Sequence, residues 1–162
     1  MNIVWNSGVR SRLRSTSSTS NNCSNGKDDN CNGFTDQCDT TCNGCVEDGF
    51  GPNWTPFFVP MVAAGTYMLA ICPCRDDWFA FQAAQSDVIH VKATFSTAEI
   101  DLDLKLQTAA DAEANSTNSV ASSVTTTATE EINYTVTTAG LYYLKVYSYK
   151  KDDFGKYTLT IY

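Results

Sequence analysis

Residues 131–149, EINYTVTTAGLYYLKVYSY, decide the fold class. Two runs of β-branched and aromatic residues flank the turn Thr138-Ala139-Gly140, which reads as strand, tight turn, strand. Ile132, Tyr134 and Val136 alternate with polar neighbours, and Tyr142, Leu144 and Val146 do the same beyond the turn. Side chains two apart share a face of a strand, so each run offers one apolar face that a second sheet must cover. Nothing in this stretch resembles a reacting centre.

The same period extends outward through the second part of the chain. Candidate strands are Thr66–Cys72, Asp77–Ala83, Val88–Phe95, Asp101–Gln107, Ser119–Thr125, Glu131–Thr137, Leu141–Tyr149 and Lys156–Tyr162. Eight short strands separated by turn residues predict an all-β sandwich. Ile89, Val91, Ala93 and Phe95 are expected to face inward with Leu102, Leu104 and Leu106, while His90, Lys92, Asp101, Asp103 and Lys105 face out. Residues 109–118 allow one helical turn or a surface loop.

The chain has 162 residues, enough for one ordinary domain with a smaller attachment. Its formal charge is −7, and residues 1–21 hold Arg10, Arg12 and Arg14 without an acid, leaving about −10 on the remainder. A body of that sign repels nucleic acid and attracts cations. No apolar run approaches the length of a membrane span. No leader-like stretch follows Met1–Trp5 either, and the first residues are read as the edge of a fragment. Residues 1–21 have too little apolar content to fold alone and read as a disordered linker rich in Ser, Thr and Arg.

Seven cysteines stand at positions 23, 31, 38, 42, 45, 72 and 74, and none follows. Clustered cysteines in an acidic, Ser/Thr-rich chain predict a disulfide framework and an oxidising, extracellular or cell-surface setting. Four thiolates from Cys42, Cys45, Cys72 and Cys74 could instead close a zinc tetrahedron, a reading ranked below disulfides. An odd count leaves one thiol over, and six bridged cysteines allow 15 connectivities for each choice of the odd one.

Residues 22–48 are dominated by Cys, Asp, Asn and Gly, which cannot build a hydrophobic core and need covalent bonds or a metal. Counted from Asp28, oxygen-bearing side chains fall at positions 1, 3, 5, 9 and 12 (Asp28, Asn30, Asn32, Asp36, Asp39), with Gly33 at 6 and the carbonyl of Phe34 at 7. Calcium takes six to eight oxygens, and this spacing curls them around one point while glycine permits the sharp turn. Calcium is therefore the expected cofactor. The segment Cys23 to Asp36 also resembles the short cysteine-bracketed metal-binding motif of secreted proteins of myxobacteria and related bacteria, C-x-[DN]-G-x-D-[DN]-[DN]-C-[DN]-G-x-x-D, at every fixed position.

Residues 49–162 bear a second resemblance. Cys72-Pro73, Asp77-Trp78-Phe79-Ala80-Phe81, Asp87-Val88-Ile89-His90-Val91, Asp101-Leu102-Asp103-Leu104, Ile132-Asn133-Tyr134, Ala139-Gly140-Leu141-Tyr142-Tyr143-Leu144-Lys145-Val146 and Tyr157-Thr158-Leu159-Thr160-Ile161 are similar to the bacterial pre-peptidase C-terminal domain, a group that includes the collagen-binding domains of bacterial collagenases. The resemblance implies a jelly-roll-type β-sandwich carried as an accessory module by exported enzymes, with calcium bound near its start. For that calcium only Asn53 and Asp77 stand at matching positions, since Arg75 places a cation where an oxygen ligand is expected; Asp76 and Glu47 come next. The resemblance also implies a disulfide between Cys45 and Cys72, closing a loop whose chain-entropy effect is roughly 3–4 kcal/mol. Cys74, where glycine is commoner, then becomes the expected unpaired thiol.

No catalytic constellation is legible. His90 is the one histidine, and no nucleophile elbow, zinc-protease, dinucleotide or P-loop pattern occurs. Asp101 and Asp103 share a strand face without a converging partner. If Tyr142, Leu144 and Val146 face inward, Tyr143, Tyr147 and Tyr149 form an outward row fit to contact proteins or sugar rings. The chain thus reads as a non-enzymatic accessory module that binds calcium and an extracellular polymer (a collagen-like protein or a polysaccharide) or its parent enzyme. The rival reading is a structural, export or inhibitory tail of a secreted peptidase.

Overall fold

The computed structural model describes residues 23–29 and 33–162. Eight strands follow in order: β1 (Gly65–Ile71), β2 (Asp77–Ala83), β3 (Val88–Phe95), β4 (Leu102–Thr108), β5 (Ala121–Ser123), β6 (Thr129–Thr135), β7 (Gly140–Ser148) and β8 (Gly155–Ile161). They form two four-stranded antiparallel sheets, ordered β1-β8-β3-β6 and β2-β7-β4-β5. That order is the jelly roll, in which successive strands repeatedly change sheet. Two short helices, α1 (Thr40–Asn43) and α2 (Ala109–Glu113), lie outside the sheets.

The inward rows are those that period two predicts. Ile89, Val91 and Ala93 of β3 meet Leu102, Leu104 and Leu106 of β4 in one core, to which Ile132, Val136, Tyr142, Leu144, Val146 and Leu159 belong. Phe50 closes one end, its ring edge-on to Tyr67 at 5.6 Å and to Phe79 at 5.8 Å. The turn at residues 136–139 is not a hairpin. It carries the chain from β6 in one sheet to β7 in the other, so each strand finds its ladder partners elsewhere.

The two outer faces differ. On the β1-β8-β3-β6 sheet, Met68, Lys92, Thr94, Lys156, Thr158 and Thr160 stand at intermediate or full exposure. On the other sheet β2 is buried on both sides, because residues 60–62 run alongside it: Val62 N donates to Ala80 O at 2.8 Å and Ala80 N to Pro60 O at 2.9 Å. Trp78, Ala80, Tyr143 and Ala112 of α2 form a second apolar cluster over this face. The outward aromatic row therefore lies partly under a cover that its own strand pattern does not reveal.

Described cysteines pair as Cys23–Cys42, Cys38–Cys74 and Cys45–Cys72, with Cα separations of 5.4, 5.2 and 5.7 Å. Cys74 is thus bonded, not the odd thiol. It adopts φ 61°, the left-handed region that favours glycine, and its link to Cys38 holds it there. Cys31 and the linker assigned to residues 1–21 lie outside the described residues, Asn22 included.

Gly155 opens β8 directly over the core. A Cβ there would come within 2.9 Å of Ile100 Cγ2 and 3.2 Å of its Cδ1, and Ile100 is fully buried. Gly155→Ala is expected to lower the unfolding free energy by about 1–3 kcal/mol, as overpacking does. Urea unfolding checks this; an unchanged midpoint would show that Ile100 retreats freely.

Candidate functional site

The Cys-rich segment is built on hydrogen bonds between its own polar groups. Asp36 accepts from Asn25 N at 3.1 Å and from Gly26 N at 2.6 Å, so one carboxylate closes the first turn, where Gly26 takes φ 71°. Asn25 Nδ2 reaches Asp29 at 3.1 Å, and Asp28 Oδ2 accepts from Gly33 N at 2.8 Å. This last bond curls the stretch between the first and sixth loop positions, with Gly33 at φ 93° supplying the bend.

The expected ligand set is thereby divided. Asp28 and Asp36 stand on the loop, whereas Asn30 and Asn32 lie outside the described residues. Asp39, expected at the twelfth position, is buried and caps α1: its Oδ1 accepts from Thr41 N and Thr41 Oγ1, both at 2.8 Å. A short acidic side chain before a helix satisfies an otherwise unpaired backbone N–H, and this local bond takes Asp39 into the cap. Among the described residues no three His, Cys, Asp or Glu side chains converge as metal ligands. The chemistry of the donors is nevertheless uniform, all oxygen, the class a hard cation takes.

Phe34, expected to lend only its carbonyl, contributes its ring to something else. The Arg75 guanidinium lies 4.1 Å from the Phe34 ring centroid and 4.7 Å from that of Trp54, and the two rings meet edge-on at 6.2 Å. The same guanidinium is ion-paired to Glu47. Arg75 thus joins the Cys-rich segment, the 45–54 connector and the start of β2 in one contact. Cation–π pairs of this kind contribute about 0.5–2 kcal/mol each, more where desolvated. No local pattern in the sequence marks this partnership, since Phe34, Glu47, Trp54 and Arg75 are far apart in the chain.

Asn53 and Asp77, the second candidate pair, are both buried, at 1% and 2% exposure. Asn53 Nδ2 donates to Trp78 O at 3.4 Å, and Trp78 N donates to Asn53 O at 2.9 Å, which seats the connector on β2. Asp77 accepts from the Tyr157 hydroxyl at 2.6 Å, joining β2 of one sheet to β8 of the other. Burial pushes the Asp77 carboxyl up to about 8, against the Tyr157 bond, with Asp48, Glu47 and Asp76 adding in the same direction as burial. The cations of this neighbourhood, Arg75 and Lys145, are paired to Glu47 and Asp76.

The tyrosine row is uneven. Tyr143, expected outward for contact, is 7% exposed under α2, and its hydroxyl donates to Glu113 Oε1 at 3.0 Å. It is a packing residue. Tyr147 is half-buried beside Lys145, whose Nζ sits 5.1 Å from its ring centroid and 2.7 Å from Asp76 Oδ2. Tyr149 is 72% exposed. Asp103, expected in solvent, is also buried at 7%, in a polar layer with Tyr147, Glu130 and Asp101. Burial and those two charges push Asp103 up to about 6, and burial beside Asp103 pushes Tyr147 up to about 12. Glu130, which the sequence reading did not single out, is fully buried and accepts from Thr125 N at 2.9 Å and from the hydroxyls of Ser123 and Thr125.

His90 faces outward, partly exposed, on β3 and is paired there. Its Nε2 lies 2.7 Å from Glu131 Oε1, and its ring stacks on Tyr162 at 4.4 Å. No described nucleophile is hydrogen-bonded to it.

Because Asp77 is raised in the folded state above its ordinary value, the folded protein holds a proton that the unfolded chain releases between about pH 4 and pH 8. This contribution to stability is present below about pH 4 and is lost as pH rises through about 8. The midpoint of thermal unfolding is expected to fall across that window, and Asp77→Asn, which cannot ionise, should flatten the slope. Equal slopes in the two proteins would show that Asp77 is charged in its site.

Residues 75–148 match the family model described as the bacterial pre-peptidase C-terminal domain. Among solved structures, the chain is similar to the pre-peptidase C-terminal domain of a collagenase from Bacillus anthracis, at 23% identity and a TM-score of 0.52, covering 64% of this chain and 94% of that one. A periplasmic inhibitor of g-type lysozyme from Aeromonas hydrophila aligns at 13% identity and a TM-score of 0.48, over 64% of this chain and 95% of that one. Its counterpart from Salmonella Typhimurium aligns at 18% identity and a TM-score of 0.45, over 64% and 96%. No curated protein matches the chain. Residues 75–148 therefore carry the sequence pattern of the bacterial pre-peptidase C-terminal domain, inside a sandwich that has that domain's fold.

Proposed function

We propose that this chain is a non-catalytic accessory module of a secreted bacterial protein, which binds calcium through its Cys-rich loop and contacts an extracellular polymer or protein surface through its sandwich. The observation that carries the reading is the match of residues 75–148 to the bacterial pre-peptidase C-terminal domain, on a jelly-roll sandwich. Three disulfides support the reading of an oxidising compartment, where such bonds form and persist. No helix is long and apolar enough to cross a membrane among the described residues.

For calcium, the support is the oxygen spacing of Asp28, Asn30, Asn32, Asp36 and the Phe34 carbonyl, together with the Asp28–Gly33 bond that curls the loop. Asp39 stands in its helix cap, so the twelfth ligand falls to water or to a rearranged Asp39. A site closed in this way binds at the weak, extracellular end, about 10⁻⁴–10⁻³ M. Calorimetry should detect calcium at that strength and lose it in Asp28→Ala; equal heats from both proteins would remove calcium from the account.

For the contact surface, the burial of Tyr143 leaves Tyr147 and Tyr149 as the aromatic pair. The same burial favours the second reading, a structural or export tail without a ligand of its own, because it shows that part of the row serves packing. Retention on collagen, chitin or cellulose separates the two. The accessory reading predicts retention on at least one matrix, reduced at least tenfold by Tyr149→Ser at unchanged thermal stability. No retention on any of them would favour the tail.

A further inference from the structure

Three Asn-x-Ser/Thr triplets begin on described residues: Asn53-Trp54-Thr55, Asn115-Ser116-Thr117 and Asn133-Tyr134-Thr135. Such a triplet is an acceptor for asparagine-linked glycan only where an exported chain exposes it on a loop. The fold treats the three differently. Asn53 is buried with its amide on Trp78 O. Asn133 is inside β6, paired across the ladder with His90, its Nδ2 reaching Glu131 Oε1 at 3.3 Å, and the next residue, Tyr134, packs against the core.

Asn115 is in the opposite situation. It is the residue just past the Ala114 cap of α2, at φ 51°, where a helix ends in the left-handed conformation that asparagine tolerates after glycine. Asn115 N donates to Ala112 O at 3.0 Å and Ser116 N to Asp111 O at 2.9 Å, so the backbone of the turn is held. The Thr117 carbonyl accepts from Lys105 Nζ at 2.8 Å, and Asn118 N donates to Ser116 Oγ at 3.0 Å, fixing the far side. Asn115 and Thr117 are both exposed, and neither the Asn115 amide nor the Thr117 hydroxyl makes a hydrogen bond among the described residues. A rigid turn therefore presents the two side chains that an acceptor triplet needs.

We propose that Asn115 is a glycan attachment site of the folded protein. In the transfer, Asn115 Nδ2 bonds to C1 of the first sugar of a lipid-diphosphate-linked glycan. The bond from C1 to the diphosphate oxygen breaks, the diphosphate leaves with the electron pair, and the one proton the amide gives up passes to water.

The test uses the folded, disulfide-intact protein, a purified asparagine glycosyltransferase and its lipid-linked donor, under conditions that modify a free peptide of residues 113–119. Intact-mass measurement should show a gain of one glycan, mapped to the peptide holding Asn115. The gain should vanish in Asn115→Asp and in Thr117→Ala and persist in Thr117→Ser, with thermal stability unchanged in all three. No mass gain on the folded protein, a gain that survives Asn115→Asp, or a gain placed at Asn133 would overturn the assignment.

Discussion

The described Cys-rich segment is fastened to the sandwich chiefly through four residues, Cys72 to Arg75. Cys72 is bonded to Cys45 and Cys74 to Cys38, so two disulfides leave the chain from either side of Pro73. Arg75 then places its guanidinium between Phe34, Trp54 and Glu47. The polar segment from 23 to 48 has few apolar side chains to bury, and a segment of that composition loses more conformational entropy on ordering than burial returns. Cross-links act on the other side of the balance by restricting the unfolded chain, each by roughly 3–4 kcal/mol for loops of this length. Fastening the segment at the start of β2 fixes it on the sandwich without a core of its own.

The same junction explains why the neighbouring acids behave unequally. Glu47 pairs with Arg75, and Asp76 pairs with Lys145. Asp48 accepts from Phe50 N at 2.8 Å and from Ala70 N at 3.1 Å, which ties the connector to the edge of β1. Asp77 has no cation and goes inward to Tyr157, where desolvation outweighs the hydrogen bond and favours the neutral acid. The acid at the head of β2 is thus a link between the two sheets.

The parts of the fold legible in sequence were those set by local period. The alternation in β2 and β3 gave strand bounds that coincide with those observed, and Leu102, Leu104 and Leu106 were legible as core because polar residues separate them. What failed was everything decided by a distant segment. Tyr143 and Asp103 sit at outward positions, yet Tyr143 is covered by α2 and Asp103 by the polar layer around Tyr147 and Glu130. Alternation reports which face a residue takes and carries no information on whether something lies on that face. Cys74 differs from expectation for a related reason: it takes the left-handed backbone that glycine favours at such a turn, and its distant partner Cys38 leaves no local mark in the sequence. Asp39 satisfied a twelve-residue spacing and also an N-cap three residues before Cys42, and the nearer bond prevailed.

The central claim is that the Cys-rich segment is covalently fastened on both sides of Pro73. Partial reduction of the unreduced protein with stepwise alkylation, followed by peptide mapping, tests it most directly. The account predicts one peptide holding Cys72 and Cys74 linked to two others, Cys72 to that of Cys45 and Cys74 to that of Cys38. A bond between Cys72 and Cys74, or Cys74 recovered as a free thiol, would contradict it.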